Sequence, residues 1–313
     1  MSAQTTGTTM KNDKKFIISI TVVTLVLLGG VVWWNSQKSS EPPITMSNQS
    51  IEQKLYPEDE ITHGHGLAVD VADSHKIYIA THHGLLVLVN EKDLYRLGTS
   101  RDDYMGFSVH PADPNRFFSS GHPASGGNVG FQKSEDGGMT WKRISAGLNG
   151  PVDFHAMAVS PVNPDLVFGW FQGNLQRSTD GGKNWMKFVT PAPFVALTGG
   201  TKDENVIYAA SPQGLFKSQN KGESWEQLID GFVAAIAVHP NDSQTLLISS
   251  EQFGVAKSND GGKNWQETNA NFNGESALFI AFNKQNPETV YALTEKNSLF
   301  KSQDEGVSWH KIR

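Results

Sequence analysis

The pattern S-x-[DN]-x-G-x-[TSN]-W occurs five times, at Ser134 to Trp141, Ser178 to Trp185, Ser218 to Trp225, Ser258 to Trp265 and Ser302 to Trp309. Successive copies start 44, 40, 40 and 44 residues apart. The chain is therefore an array of units that bury their apolar faces against one another. Within each copy an Asx side chain (Asp136, Asp180, Asn220, Asp260, Asp304) suits a tight turn, where it accepts backbone N–H bonds. The glycine two residues on permits φ > 0 or close approach, and the indole at the eighth position covers the hairpin.

Each unit reads as four strands. In the third these are FHAMAVS, LVFGW, LQRS and WMKFV, separated by a PVNPD turn, an FQGN loop and the repeated pattern itself. The template fits six times, with inner strands beginning near His63, Tyr104, Phe154, Phe194, Val233 and Ala277. An all-β, six-bladed propeller with four-stranded blades is expected over residues 61–313, closing where residues 305–313 meet the first blade. The seven-bladed alternative needs ~40 more residues than this region supplies. The first blade lacks the pattern, with Asn90 to Asp93 in its place, as terminal repeats often diverge.

These motifs resemble the Asp-box, or BNR, repeat of sialidases, sortilin-type receptors and photosystem II assembly factors, over residues 103–313. The resemblance implies that the boxes are structural and lie opposite the ligand face. It also implies two functions from different classes. One is a ligand-binding or assembly module; the other is a glycoside hydrolase of the sialidase superfamily. Sialidases are expected to present three arginines to the substrate carboxylate. Of Arg96, Arg101, Arg116, Arg143, Arg177 and Arg313, the blade layout puts only Arg101 on the ligand face, so a hydrolase here would act on a glycan other than sialic acid. Hydrolysis needs two carboxylates across a scissile bond. Asp153, Glu275 and Asp103 are the leading candidates, with Asp102, Asp230 and Glu251 on the same face.

Residues 16–34 (FIISITVVTLVLLGGVVWW) carry no charge and are long enough to span a bilayer as a helix. Lys11, Lys14 and Lys15 precede the run and Trp33 and Trp34 end it. The positive-inside rule then leaves residues 1–15 in the cytoplasm and places the propeller on the extracytoplasmic side of a cell membrane, as a single-pass, signal-anchored, bacterial-type protein; the core of a cleaved signal peptide is the alternative, against which stand the length of the run and the lack of an A-x-A-like site after it. Residues 35–60, polar and with Pro42 and Pro43, read as a flexible stalk. Cysteine is absent, and 26 basic against 32 acidic residues give no basic stripe for nucleic acid.

Ten histidines remain to be explained. Blade topology puts His63, His65, His82, His83, His122 and His155 on the ligand face of the first three blades. His75, His110 and His239 fall in turns on the opposite face and His310 in the last strand, where structural roles are expected. In HGHG, His63 and His65 stand two apart, so a strand points both to one side. His65, Met105 and His155 hold equivalent positions in blades one to three. Imidazole with thioether suits copper, and imidazole with carboxylate suits zinc or another divalent first-row ion. His63, His65, His155 and Met105 are thus candidate metal ligands, while Tyr104, His82, His83 and His122 are candidates for binding a glycan or protein ligand. Packing of His65, His155 and Met105 between blades is the alternative use of these side chains.

Overall fold

The computed structural model describes residues 44–48 and 51–313. They form six antiparallel sheets, five of four strands and one of six. In each four-stranded sheet the strands follow chain order from edge to edge. The inner strands are Gly64–Val69, Asp103–Val109, Ala156–Val159, Ala196–Gly199, Val233–Val238 and Ala277–Phe282, within a few residues of the starts expected from the repeat. Six blades are present, and the expected fold holds for the propeller. The expected membrane span, residues 16–34, lies outside the described residues; among those described, no helix is long and apolar enough to cross a membrane.

Period-two alternation makes both faces of each blade apolar, so the core lies between blades. Tyr78 and Leu85 of the first blade meet Phe107 and Phe117 of the second; Phe168 of the third meets Phe194 and Phe216 of the fourth. Burying each such side chain stabilises the ring by roughly 1.5–3 kcal/mol. The ring closes without strand exchange. Ile77 and Leu86 of the first blade share a cluster with Tyr291 and Leu293 of the sixth. Around this seam Tyr291 donates to Glu91 Oε1 at 2.8 Å, and Lys301 pairs with the same oxygen at 2.6 Å.

The boxes explain why the units repeat. In all five, the serine Oγ donates to the Asx Oδ1 and accepts the glycine N–H at 2.7–2.9 Å. The glycines sit at φ 84° to 93°. They also set the spacing between blades: a Cβ on Gly182 would lie 2.0 Å from Phe131 of the preceding blade, and one on Gly222 2.2 Å from Leu175. A box N–H then reaches back to the first turn of its own blade, as from Gly181 to Asp165 O at 2.9 Å and Gly261 to Gln244 O at 2.9 Å. In the first blade, Asn90 and Glu91 at φ 53° and 59° close the corresponding hairpin instead.

That first turn has its own cap at one fixed position. Asp70, Ser160 and Asn283 each accept two backbone N–H bonds there. At the same position His110 Nδ1 accepts from Ala112 and Asp113, and His239 Nδ1 from Asn241 and Asp242. These two imidazoles do the work of an Asx side chain, which accounts for the V-H-P turns.

One expectation is revised. Within the segment 35–60 read as a stalk, Ile44–Asn48 and Ile51–Pro57 are strands. They pair as a hairpin and extend the first sheet, Leu55 opposite Leu97 and Tyr56 opposite Arg96. Leu55 is buried in the first-blade core, and Arg96 stacks on Tyr56 at 4.9 Å and bonds Glu58 at 3.1 Å. The hairpin covers the outer strand of the one blade without a box, where an open edge would otherwise pair with other chains.

Candidate functional site

Inner-strand entries and the loops between second and third strands converge on one face of blades one to three. Their polar residues fall into two clusters, the two groups of three potential metal ligands found among the described residues.

In the first cluster His63, His65 and His82 bring one ring nitrogen each within 4.8 Å of the others. The chain builds this with backbone features. His63 adopts φ 50°. The register between the first two strands slips at Gly64–Gly66, making His65 the extra residue of a bulge, a device that re-aims a side chain. Flanking glycines are required because a Cβ on Gly64 would lie 2.4 Å from Leu293, and one on Gly66 2.8 Å from Phe107. The glycines thus admit neighbouring side chains rather than another backbone. Gly64 N–H is fixed by Asn297 Oδ1 at 2.9 Å.

The rings then crowd together, His65 and His82 with centroids 4.1 Å apart and His63 and His82 4.6 Å apart. His65 Nδ1 is in direct contact with Met105 Sδ. Asp103 approaches from the second blade, its Oδ2 2.5 Å from His82 Nδ1 and its Oδ1 3.6 Å from His65 Nδ1. That Oδ1 is buried with no hydrogen-bond partner. Burial first, then the neighbouring imidazoles, lowers the His65 pKa to about 3 although Asp103 opposes the shift. Burial and His82 lower His63 as well. Both rings are therefore kept neutral, the form that ligates a metal.

The second cluster joins blades two and three. Asp153 Oδ2 lies 2.7 Å from His155 Nε2 and 3.0 Å from His122 Nε2. His122 Nδ1 meets Gly127 O at 3.0 Å, and a carbonyl accepts only, so that nitrogen carries the proton. With Nδ1 so held, His122 Nε2 faces Asp153 Oδ2, and Asp153 Oδ1 is a second buried oxygen without a partner. Burial pushes Asp153 up, but the bond from His155 and the charges of His155 and His122 outweigh it and leave its carboxyl below the usual range. Each arrangement is a set of side chains that could hold a cation.

Other candidates are placed as follows. The Tyr104 side chain is 1 % exposed, lies beside Trp141 at 4.8 Å and donates to Ser100 Oγ at 3.0 Å; burial pushes its pKa up to about 12. It belongs to the core and is turned away from the ligand surface because Asp103 and Met105, its strand neighbours, point the other way. His83 is exposed and its ring stands 6.4 Å from His82, outside the ligand groups. Glu275 accepts from Thr294 and Ser298 within its own blade. Asp102 accepts from Ala124 N at 2.8 Å. Asp103 and Asp153, read as catalytic candidates, each contact histidines, Asp103 meeting His82 and Asp153 meeting His122 and His155. His65 and His155 also line the central cavity of about 350 Å³, with Met157, Leu197, Ile236 and Ile280.

The sequence of residues 253–313 matches a family model described as Sortilin, neurotensin receptor 3 (Sortilin-Vps10). No curated protein matches the chain. Among solved structures, the GH74 enzyme of Niastella koreensis is similar at 17% identity and a TM-score of 0.54, over 79% of this chain and 46% of that one. The GH74 xyloglucanase of Xanthomonas campestris is similar at 16% identity and a TM-score of 0.58, over 82% and 48%. This chain thus spans less than half the length of those enzymes. A structure of YCF48 bound to D1 peptide is similar at 15% identity and a TM-score of 0.51, over 88% of this chain and 86% of the other. At such identities the likeness is one of fold. Taken with the five boxes, it makes this chain a six-bladed β-propeller with repeats that resemble the Asp-box, similar in fold to those proteins.

Proposed function

We propose that the chain is a membrane-anchored, extracytoplasmic binding module whose histidine face holds a transition metal. The observation that carries the reading is the second cluster: His122 is fixed by Gly127 so that its Nε2 faces Asp153, and the buried Oδ1 of Asp153 has no partner. Two imidazoles and a carboxylate are a familiar donor set for divalent first-row ions. The hydrophobic span at residues 16–34 supplies the anchor and the outward orientation. A rigid rim of this kind serves a protein or glycan ligand, and a neighbour of similar length in the same fold was solved with a peptide.

The glycosidase alternative has less support. A general acid needs a raised pKa, whereas Asp153 is held low. Asp103 is bound to His82, and Glu275 is tied down by Thr294 and Ser298.

Elemental analysis of the full chain, purified in detergent without a polyhistidine tag, tests the reading. Stoichiometric metal after loading with zinc or copper, reduced in an otherwise folded His122→Ala/Asp153→Ala variant, is expected. No uptake of either ion overturns it.

A further inference from the structure

Blades one to three present the same two positions at the start of their inner strands, filled by His63 and His65, Asp103 and Met105, and Asp153 and His155. In blades four to six the later of these positions holds Val195, Ala234 and Leu278. Between consecutive polar blades the same unit forms twice. A loop histidine of one blade meets the aspartate of the next: His82 meets Asp103 at 2.5 Å and His122 meets Asp153 at 3.0 Å. The units differ two residues beyond that aspartate, where one has the thioether of Met105 and the other the imidazole of His155.

This difference reaches through the whole of each donor set. In the first unit His63, His65 and His82 converge, and Met105 Sδ touches His65. Asp103 holds His82 through Nδ1 and so leaves Nε2 as the nitrogen available to an ion, as an outer carboxylate does behind a metal-bound histidine. The inner ligands are then all neutral. The His65 side chain is 9% exposed and Met105 is buried, but His82 is 39% exposed and His63 is exposed, so it is the donor set rather than burial that separates the two units. Neutral imidazole and thioether select the soft cuprous ion. In the second unit no sulfur is present. Asp153 itself faces both rings through Oδ2, and His122 and His155 are 37% and 42% exposed. A carboxylate with two open imidazoles favours a divalent ion.

Resting on the metal-binding reading above, we infer that the two units are separate metal sites of unequal hardness: a cuprous site at His63, His65, His82 and Met105, and a divalent site at His122, Asp153 and His155. The interchange of Met105 and His155 at one repeated position decides which is which.

The test uses the full chain in detergent, titrated anaerobically with Cu(I) against a chromophoric cuprous chelator and separately with Co(II) as a spectroscopic stand-in for a divalent ion. Met105→Leu preserves volume and is expected to fold. It should weaken Cu(I) binding by about tenfold or more, and Asp103→Asn by about 10–100-fold, the scale of an outer-shell loss. Copper X-ray absorption should lose its sulfur contribution in Met105→Leu, which simple misfolding would not select. Neither variant should alter the Co(II) spectrum. Asp153→Asn and His155→Ala should abolish the Co(II) spectrum and leave Cu(I) affinity in place. If Met105→Leu leaves Cu(I) affinity unchanged, or if each variant loses both metals together, the division by hardness falls while metal binding stands. If the parent takes up neither ion, the metal reading itself falls.

Discussion

The two faces of the ring handle polar groups in opposite ways. On the box face each Asx, serine and turn cap is satisfied inside its own repeat: Asp180 accepts from Ser178, Lys183, Asn184 N–H and the Asn184 amide, all within six residues. Four of the five box indoles donate to their own glycine carbonyl, Trp225 being the exception. On the histidine face the partners come from different blades, and two buried carboxylate oxygens have none. Polar groups that close on themselves hold the fold. The two carboxylates left incomplete across a junction motivate the metal proposal, because an unpartnered buried carboxylate oxygen costs stability.

The comparison breaks most sharply at Gly182. A methyl group there meets Phe131 at 2.0 Å and sits at φ 85°. Gly182→Ala should cost about 3 kcal/mol or more in denaturant unfolding, combining overpacking with left-handed strain. Gly126→Ala, at φ 87° with nothing within 4 Å, should cost only the backbone share, about 1–2 kcal/mol. Equal losses would mean that box glycines do not set blade spacing.

The histidine face should respond to metal where the box face does not. At a hundredfold excess over Kd a site-specific ion stabilises by about 2.7 kcal/mol. Zinc or copper should therefore raise the Tm of the parent, and the rise should shrink in Asp153→Ala. An undiminished rise would place the metal elsewhere.

Acid separates the faces by pH. His65 has a folded pKa lowered from 6.5 to about 3, so it contributes stability above pH 6.5, and this is lost as pH falls toward 3. Asp180 and Asp304, lowered from 3.8 to about 2, contribute above pH 3.8 and lose it only on falling toward 2. Metal-free melts should thus weaken below pH 6.5, and His65→Leu should reduce that first limb, the remainder coming from His63 and His110, whose pKa values are also lowered. A parent melt level down to pH 4 would contradict it.

The same contrast explains what could be read from the chain. The fold was legible because each box is a local device, complete in eight residues and repeated five times. Blade topology also sorted His63, His65, His82, His122 and His155 onto one face. The partnerships were not legible: His82 with Asp103 and His122 with Asp153 form between blades, across 21 and 31 residues. A clue existed in the alignment of H-x-H, D-x-M and D-x-H at equivalent strand entries. Tyr104 lies in the core because alternation along the strand turns it inward between Asp103 and Met105, an orientation that its place beside a loop hides in the sequence. The hairpin at 44–57 gave only a faint signal, a polar stretch whose need arises from a missing box elsewhere in the first blade.

Asn220 offers the finest test of what a box requires. It stands where the other four copies have aspartate, accepts from Ser218 Oγ and Ser224 N–H at 2.9 Å, and turns its Nδ2 toward Ser224 Oγ at 2.9 Å. The geometry therefore needs an Oδ1 acceptor and not a charge. In Asp180 the second oxygen instead accepts from the Asn184 amide at 2.7 Å. Asp180→Ala should lose the whole set and cost about 1 kcal/mol, a modest figure because the site is open to solvent. Asp180→Asn keeps Oδ1 but sets two amide donors against each other, so it should fall between Ala and the parent. Adding Asn184→Ser recreates the fourth-blade pair of Asn220 and Ser224, and should recover most of the loss. Calorimetry of the three variants decides the matter. If the double variant melts no higher than Asp180→Asn, charge rather than acceptor geometry sustains the box.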